Sequence, residues 1–275
     1  MNELLVTGSK GFIGKNLSKY LGQLGHTVEL IDSDYFQDLE WKRNLLIFLN
    51  KCNPKAIFHV GACSNTLETD VQLMMEQNYE STKLISNWCT ENERKLIYSS
   101  SAASYGVNGQ YPSNLYGWSK YVAEDYVCKN GGISLRYFNV YGPGEESKGV
   151  MSSFLYQAYV SQRNGTKALL FPGSPSRDFI YIKDVVKANI YALDNYWKLS
   201  GGFYDVATGI SKPFEDVLNL AGIEFTYSEE SQIPVGYQFY TCGDPTKWMH
   251  GWKPDYSLEE GIADYLIHLR QPLTN

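Results

Sequence analysis

In the stretch Tyr116-Gly117-Trp118-Ser119-Lys120 a phenol and an ammonium group stand four positions apart. On a helix, positions i and i+4 lie one turn apart on the same face, so the two groups would project together. A tyrosine hydroxyl ordinarily titrates near ~10, and each unit by which nearby positive charge lowers it corresponds to about 1.4 kcal/mol. A proton acceptor working near neutral pH is the chemistry such a pair can supply. Helices also carry i, i+4 pairs by chance, so the surrounding elements decide the matter.

A second pattern lies in Thr7-Gly8-Ser9-Lys10-Gly11-Phe12-Ile13-Gly14, where glycines recur every third residue directly after the apolar run Leu4-Leu5-Val6. At a strand-to-helix turn, missing side chains let the chain turn tightly, approach a pyrophosphate with its backbone, and pack helix on strand. The helix N-terminus then faces the phosphates. Gly8, Gly11, Phe12, Ile13 and Gly14 are therefore candidate cofactor residues, although the spacing is GxxGxxG and not the commoner GxGxxG. The next apolar run ends in Asp32-Ser33, about twenty residues on, where a carboxylate can accept from both hydroxyls of a ribose. Asp32 and Asp34 would repel a 2′-phosphate, whereas Lys42 and Arg43 downstream could attract one. The cofactor expected is NAD or NADP, with NAD favoured.

These groups need a scaffold. Short apolar runs (within residues 3–8, 26–32, 56–62, 95–101 and 133–142) alternate with segments of helical period, including 71–91 and 115–129. Parallel strands require crossover helices, so the alternation predicts an α/β, Rossmann-type doubly wound parallel sheet. After Gly142-Pro143-Gly144 the rhythm loosens into a helix near 151–162, short strand-like pieces, a helix over 184–196 and a turn followed by a closing helix. The expected organisation is a dinucleotide-binding part over residues 1–145, to which segments at about 178–208 return, and a smaller, mostly C-terminal α/β substrate lobe over 146–275.

Bulk properties narrow the classes. A chain of 275 residues with 43% hydrophobic and 20% charged content can bury a sizeable core. A net charge of −6 and an isoelectric point near 5.3 give no basic field, which argues against nucleic acid and anionic membranes as partners. Five cysteines at irregular spacing carry no metal-ligand rhythm. With a strand signal almost at the first residue and no long apolar run, a cytoplasmic protein with reduced thiols is expected.

Taken together, the Gly8–Gly14 loop, the serines 99–101 at the end of the fourth strand, Tyr116/Lys120 and Arg136-Tyr137-Phe138-Asn139-Val140-Tyr141-Gly142-Pro143 resemble the extended short-chain dehydrogenase/reductase family. The resemblance implies hydride chemistry with Ser101 orienting the substrate, Tyr116 as acid/base, and Lys120 lowering the phenol's pKa and binding the nicotinamide ribose. Passages 59–66, 74–82, 136–149 and 170–181 are similar to the ADP-L-glycero-D-manno-heptose 6-epimerase family. That resemblance implies a second base, Lys148, because hydride must reach both faces of a transient ketone and the alcohol needs an acceptor in each pose. It further implies Asn139, Phe171, Ser174, Arg177 and Tyr237 as substrate residues, and Gly61, Ala62, Cys63, Asn78 and Val140 as cofactor residues. Arg177 would clamp a nucleotide diphosphate by charge-assisted bonds.

Departures from that pattern are Val150 where the family has a serine, Gln157 where it has a histidine, and a shortened 34–43 segment. Nucleotide-sugar 4,6-dehydratases carry an Asp-Glu pair after the strand-end residue, whereas here Ala102-Ala103-Ser104 follows. The expected function is epimerisation of a nucleotide-diphosphate sugar by transient oxidation and re-reduction with tightly bound NAD(P). The alternatives are a UDP-sugar 4-epimerase, a keto-sugar epimerase/reductase, and a non-catalytic dinucleotide sensor. A homo-oligomer is implied by resemblance. Cys63 reads as a small residue beside the cofactor, His59 as a satisfied core histidine, and Met74 and Met75 as core packing.

Overall fold

The computed structural model describes residues 4–106, 109, 111–233 and 237–271. Along the chain run β1 (Leu4–Thr7), α1 (Phe12–Gln23), β2 (Val28–Ile31), α2 (Trp41–Cys52), β3 (Ala56–His59), α3 (Val71–Met75), α4 (Ser81–Glu91), β4 (Lys95–Ser101), α5 (Leu115–Lys129) and β5 (Ile133–Tyr137). Then follow β6 (Asn139–Tyr141), α6 (Phe154–Arg163), β7 (Ala168–Leu170), β8 (Ser176–Tyr181), α7 (Ile182–Asp194), α8 (Tyr196–Leu199), β9 (Phe203–Val206), β10 (Ser211–Pro213), α9 (Phe214–Ala221), β11 (Phe225–Tyr227) and α10 (Leu258–Arg270).

The main sheet has the order β2-β1-β3-β4-β5-β9 and is parallel throughout. The inner strands β1 and β3 are buried along their whole length because both faces of the sheet are covered. Leu4 and Val6 of β1 join the core shared with α1 and α7, while Leu5 between them joins the core shared with α2, α4 and α5. The strand order reverses between β1 and β3, and such switch points are where open parallel sheets leave a crevice for ligands. The short segment after β2 forms only a 3₁₀ turn over Ser33–Gln37 before α2 begins. No residues remain there for another strand, so β2 is the sheet edge.

Two local outcomes differ from the sequence reading. The run 133–141 is not one strand: β5 ends at Tyr137, and β6 leaves the main sheet to pair with β8 in a second, three-stranded sheet. Phe138 is the corner. The helix expected over 71–91 is interrupted by a π-turn at Glu76–Glu80. By contrast α5 spans the predicted 115–129, started by the Asn114 side chain accepting from the Gly117 amide. Smaller pieces β7 and β11 form a two-stranded pair, and α10 is the closing helix, opened by a Ser257/Glu260 capping box. The five cysteines are free. Among the described residues no helix is long and apolar enough to cross a membrane, and no cluster of His, Cys, Asp and Glu could hold a metal ion.

Candidate active site

At the carboxyl ends of β1, β3, β4 and β5 opens a cleft of about 630 Å³. Gly8, Gly11, Phe12, Ile13, Gly14, Asp32, Ser33, Gly61, Ala62, Ser101, Tyr116, Lys120, Asn139, Val140 and Lys148 all line it. The first loop is built for close approach. Gly8 has φ +65°, and a Cβ there would stand 2.5 Å from the Gly61 Cα. A Cβ on Gly14 would collide with the Gly8 carbonyl. The side chains are thus missing where two loops and the start of α1 touch, and the first residues of α1 line the cleft.

At the β2 end the Asp32 carboxylate accepts from the Lys10 amide at 2.7 Å and from the Ser33 amide at 2.8 Å. These bonds fix its orientation while leaving further acceptor capacity on both oxygens. The nearby bases have partners: Lys10 pairs with Asp34 at 2.5 Å, Lys42 with Glu80 at 3.1 Å, and Arg43 with Glu40 at 3.9 Å. A glycine cradle beside a carboxylate, with no unpaired basic group among these three, fits a dinucleotide whose ribose hydroxyls are free.

The proton-handling groups meet where β4 runs out against α5. Ser101 accepts from the Ala103 amide at 3.1 Å and stands beside the Tyr116 phenol, where its hydroxyl favours the ionised form. Lys120, only 3% exposed, donates to the Ser99 carbonyl at 2.8 Å and lies 4.9 Å from the Tyr98 ring centre. Burial disfavours its charged form and brings its pKa down to about 7. Burial likewise holds the Tyr116 phenol above its ordinary value, with the Ser101 bond opposing and the neighbouring Cys63 thiol reinforcing. In the protein alone burial thus acts on the two groups in opposite directions, holding the phenol above its ordinary value and the lysine below its own. On the other wall, Lys148 holds its ammonium 5.7 Å from the Phe12 ring centre. Burial lowers its pKa, with Glu145 opposing.

Some expected residues lie elsewhere. Cys63 and Asn78 do not line the cleft. The buried Asn78 amide clasps the Cys63 backbone, accepting from its N–H at 2.7 Å and donating to its carbonyl at 3.0 Å. Phe171, Arg177 and Tyr237 form a separate cluster: the rings of Phe171 and Tyr237 meet edge-on at 5.1 Å, and the Arg177 guanidinium is 5.3 Å from the Tyr237 ring and 5.6 Å from Phe214. Phe214 itself lines the cleft, so the cluster adjoins it. Desolvation lowers the pKa of the buried Arg177, with Tyr237 opposing. Ser174 is exposed, with φ +49° and its hydroxyl 3.3 Å from Glu215. Residues that sequence reasoning missed include Ser64, Thr66, Gln77 and Phe138. For the first two the signal was available, since they directly follow the end of β3; Phe138 depends on the sheet change.

The model of the NAD dependent epimerase/dehydratase family matches residues 4–207. The chain belongs to that family. Among solved structures it is similar to the ADP-L-glycero-D-manno-heptose-6-epimerase of Helicobacter pylori, at 25% identity and TM-score 0.84, over 98% of this chain and 97% of that one. The UDP-glucose 4-epimerase of Thermotoga maritima, solved with UDP-glucose, matches at 22% identity and TM-score 0.84 over 98% of each chain. That of Thermus thermophilus, in complex with NAD, matches at 24% identity and TM-score 0.82 over 98% of this chain and 100% of that one.

Proposed function

We propose that the protein is a nucleotide-sugar epimerase that oxidises one sugar carbinol to a ketone and reduces it again from the opposite face, with NAD retained throughout. The observation that carries this reading is the set Ser101, Tyr116, Lys120 and Lys148 on one cleft whose described lining contains a single carboxylate, Asp32, at the far β2 end. Water elimination needs an acid and a base beside the sugar. Ala102, Ala103 and Ser104 supply neither.

Bound NAD would supply the hydride acceptor and, on re-reduction, the hydride. Ser101 orients the alcohol and Tyr116 receives its proton, while Lys120 in its charged form offsets the desolvation that otherwise keeps the phenol protonated. Lys148 accepts or returns the proton in the second pose of the sugar. Asp32 takes the adenosine ribose hydroxyls, and its charge together with Asp34 favours NAD over NADP. Arg177, stacked between Tyr237 and Phe214, is proposed to bind the diphosphate, with Asn139 and Phe171 beside the nucleotide sugar. Cys63 and Asn78 support the cofactor loop, and Ser174 is assigned the rim only. A homo-oligomer remains the expected assembly.

The H. pylori neighbour supports a heptose as substrate, whereas two local observations keep a UDP-sugar 4-epimerase as the alternative. Gln157 directs its amide to the Val150 and Ser152 carbonyls, at 3.2 and 2.9 Å, and not into the cleft. Val150 presents an apolar side chain, 80% exposed, at the rim. The test is release of copurified nucleotide under denaturing conditions, followed by turnover on ADP-, UDP-, GDP- and dTDP-sugars. Tyr116→Phe should lower turnover by roughly 10²–10⁴ while NAD stays bound. Normal turnover by that variant, or stoichiometric consumption of added NADH, would refute the proposal.

A further inference from the structure

A buried hydrogen-bonded run joins the ends of β1 and β3, which the sheet pairs at Thr7 and His59, to the π-turn and α5, which the sheet does not reach. The Gly61 amide donates to the Thr7 hydroxyl at 3.0 Å, and Thr7 Oγ1 lies 2.7 Å from His59 Nδ1. His59 Nε2 lies 2.9 Å from the Thr82 hydroxyl, which donates to the Asn78 carbonyl at 2.7 Å. The Asn78 amide in turn donates to the Ser119 hydroxyl at 2.9 Å, and Ser119 donates to the Tyr116 carbonyl at 2.7 Å. Thr7, His59, Asn78, Thr82 and Ser119 are all buried.

Donor counting orients the central part of this run. A hydroxyl has one proton. Because Thr82 gives its proton to Asn78, it must accept from His59, so Nε2 carries the ring hydrogen. Nδ1 is then the acceptor and takes the Thr7 proton, which leaves the Thr7 oxygen to receive the Gly61 amide. Only neutral imidazole satisfies the pattern, since a second ring hydrogen would meet the Thr7 hydroxyl proton. Burial, with the Lys120 charge adding to it, keeps the ring neutral, its pKa lowered to about 3.

We propose that His59 is a positioning residue: as the Nε2–H tautomer it transmits the placement of the π-turn at 76–80, which α5 engages through Ser119, to the Gly61 amide and hence to the glycine loop packed on it. The cofactor floor and the helix carrying Tyr116 and Lys120 are thereby held in one register. The inference rests on the reading that this floor binds NAD. A core histidine that merely fills space would not require a particular tautomer or couple to ligand affinity.

The test combines a spectroscopic and a binding readout on the whole chain, freed of copurified nucleotide. Nitrogen-15 spectra of labelled histidine should place the His59 hydrogen on Nε2 from pH 5 to 9; the other tautomer, or titration in that range, overturns the proposal. Thr82→Val keeps shape and removes the acceptor, so NAD affinity measured by calorimetry should fall about tenfold, the range for leaving a buried donor unpaired. Thr82→Ser should restore affinity to about the wild-type value. If Thr82→Val fails to fold, Thr7→Val cuts the same run at its other end with the same expected loss. A folded Thr82→Val or Thr7→Val protein that binds NAD as tightly as wild type overturns the proposal. A wild-type chain that binds no NAD would instead overturn the proposed function, and the tautomer result would stand apart from it.

Discussion

Replacing Gly8 by alanine tests whether the switch point between β1 and β3 is set by backbone contact. Two costs are expected. Gly8 has φ +65°, a left-handed conformation that costs an L-residue roughly 1–2 kcal/mol. The added Cβ would also sit 2.5 Å from the Gly61 Cα, where ordinary contact begins at 3.4 Å, so the two loops must part by the difference, 3.4 − 2.5 = 0.9 Å. Forcing a methyl into such a packed contact costs about 1–3 kcal/mol. Gly25 supplies the control: its φ is +85°, but a methyl added there would meet no heavy atom within 4 Å. Gly25→Ala should therefore lose only the conformational cost, and Gly8→Ala roughly 2–5 kcal/mol in urea unfolding. More telling is ligand binding. A shift of nearly 1 Å in the phosphate-facing loop should weaken NAD at least tenfold by calorimetry, while Gly25→Ala binds normally. Equal affinity in the two variants would refute the assignment of the Gly8–Gly61 contact as the element that shapes the cofactor floor.

Lys120 predicts a pH dependence of stability in the protein without ligand. Its folded pKa of about 7 lies below the ordinary 10.5, so between these values the unfolded chain binds more protons and stability rises with pH, by at most about 1.4 kcal/mol per unit. Urea unfolding of wild type against Lys120→Met across that window should reveal this difference; parallel curves would show that the ammonium is not desolvated. The buried pair Glu124–Arg136 lies one turn beyond Lys120, with the guanidinium 4.2 Å from the Tyr105 ring and 3.9 Å from the Phe203 ring. Glu124→Gln removes the carboxylate bonded to that charge, with Asp205 the remaining carboxylate that interacts with it, and should cost about 3 kcal/mol in denaturant unfolding; a loss below about 1 kcal/mol, typical of an exposed pair, would refute it. For Lys148→Ala, single-turnover measurements starting from each epimer should show one direction slowed well beyond the other, and equal slight effects would demote Lys148 to a rim residue.

Much of the scaffold was legible because its determinants are local. Glycines at fixed spacing after an apolar run, the carboxylate ending the next one, and Tyr116 and Lys120 one helical turn apart each depend on a few adjacent residues, and α5 occupies the span its own periodicity indicates. The alternation of apolar runs with helical segments also pointed to a parallel sheet, since parallel strands joined by crossover helices are buried on both faces.

Burial and non-local contact were decided by the tertiary structure. Whether Lys120 acidifies Tyr116 depends on how much water each retains, and that is set by Tyr98, Ser99, Ser101 and Cys63 from other elements. The run 133–141 has the pattern of one strand, yet pairing with β9 on one side of Phe138 and β8 on the other divides it between two sheets and turns Asn139 toward the cleft. Asn78 carries no sequence sign that its amide will clasp Cys63 from a π-turn, and His59 gains a defined tautomer only because Thr7 and Thr82 arrive from β1 and α4. Types and spacings along the chain specify which groups are available; the dielectric and the hydrogen-bond partners that give them their chemistry come from residues far apart in sequence.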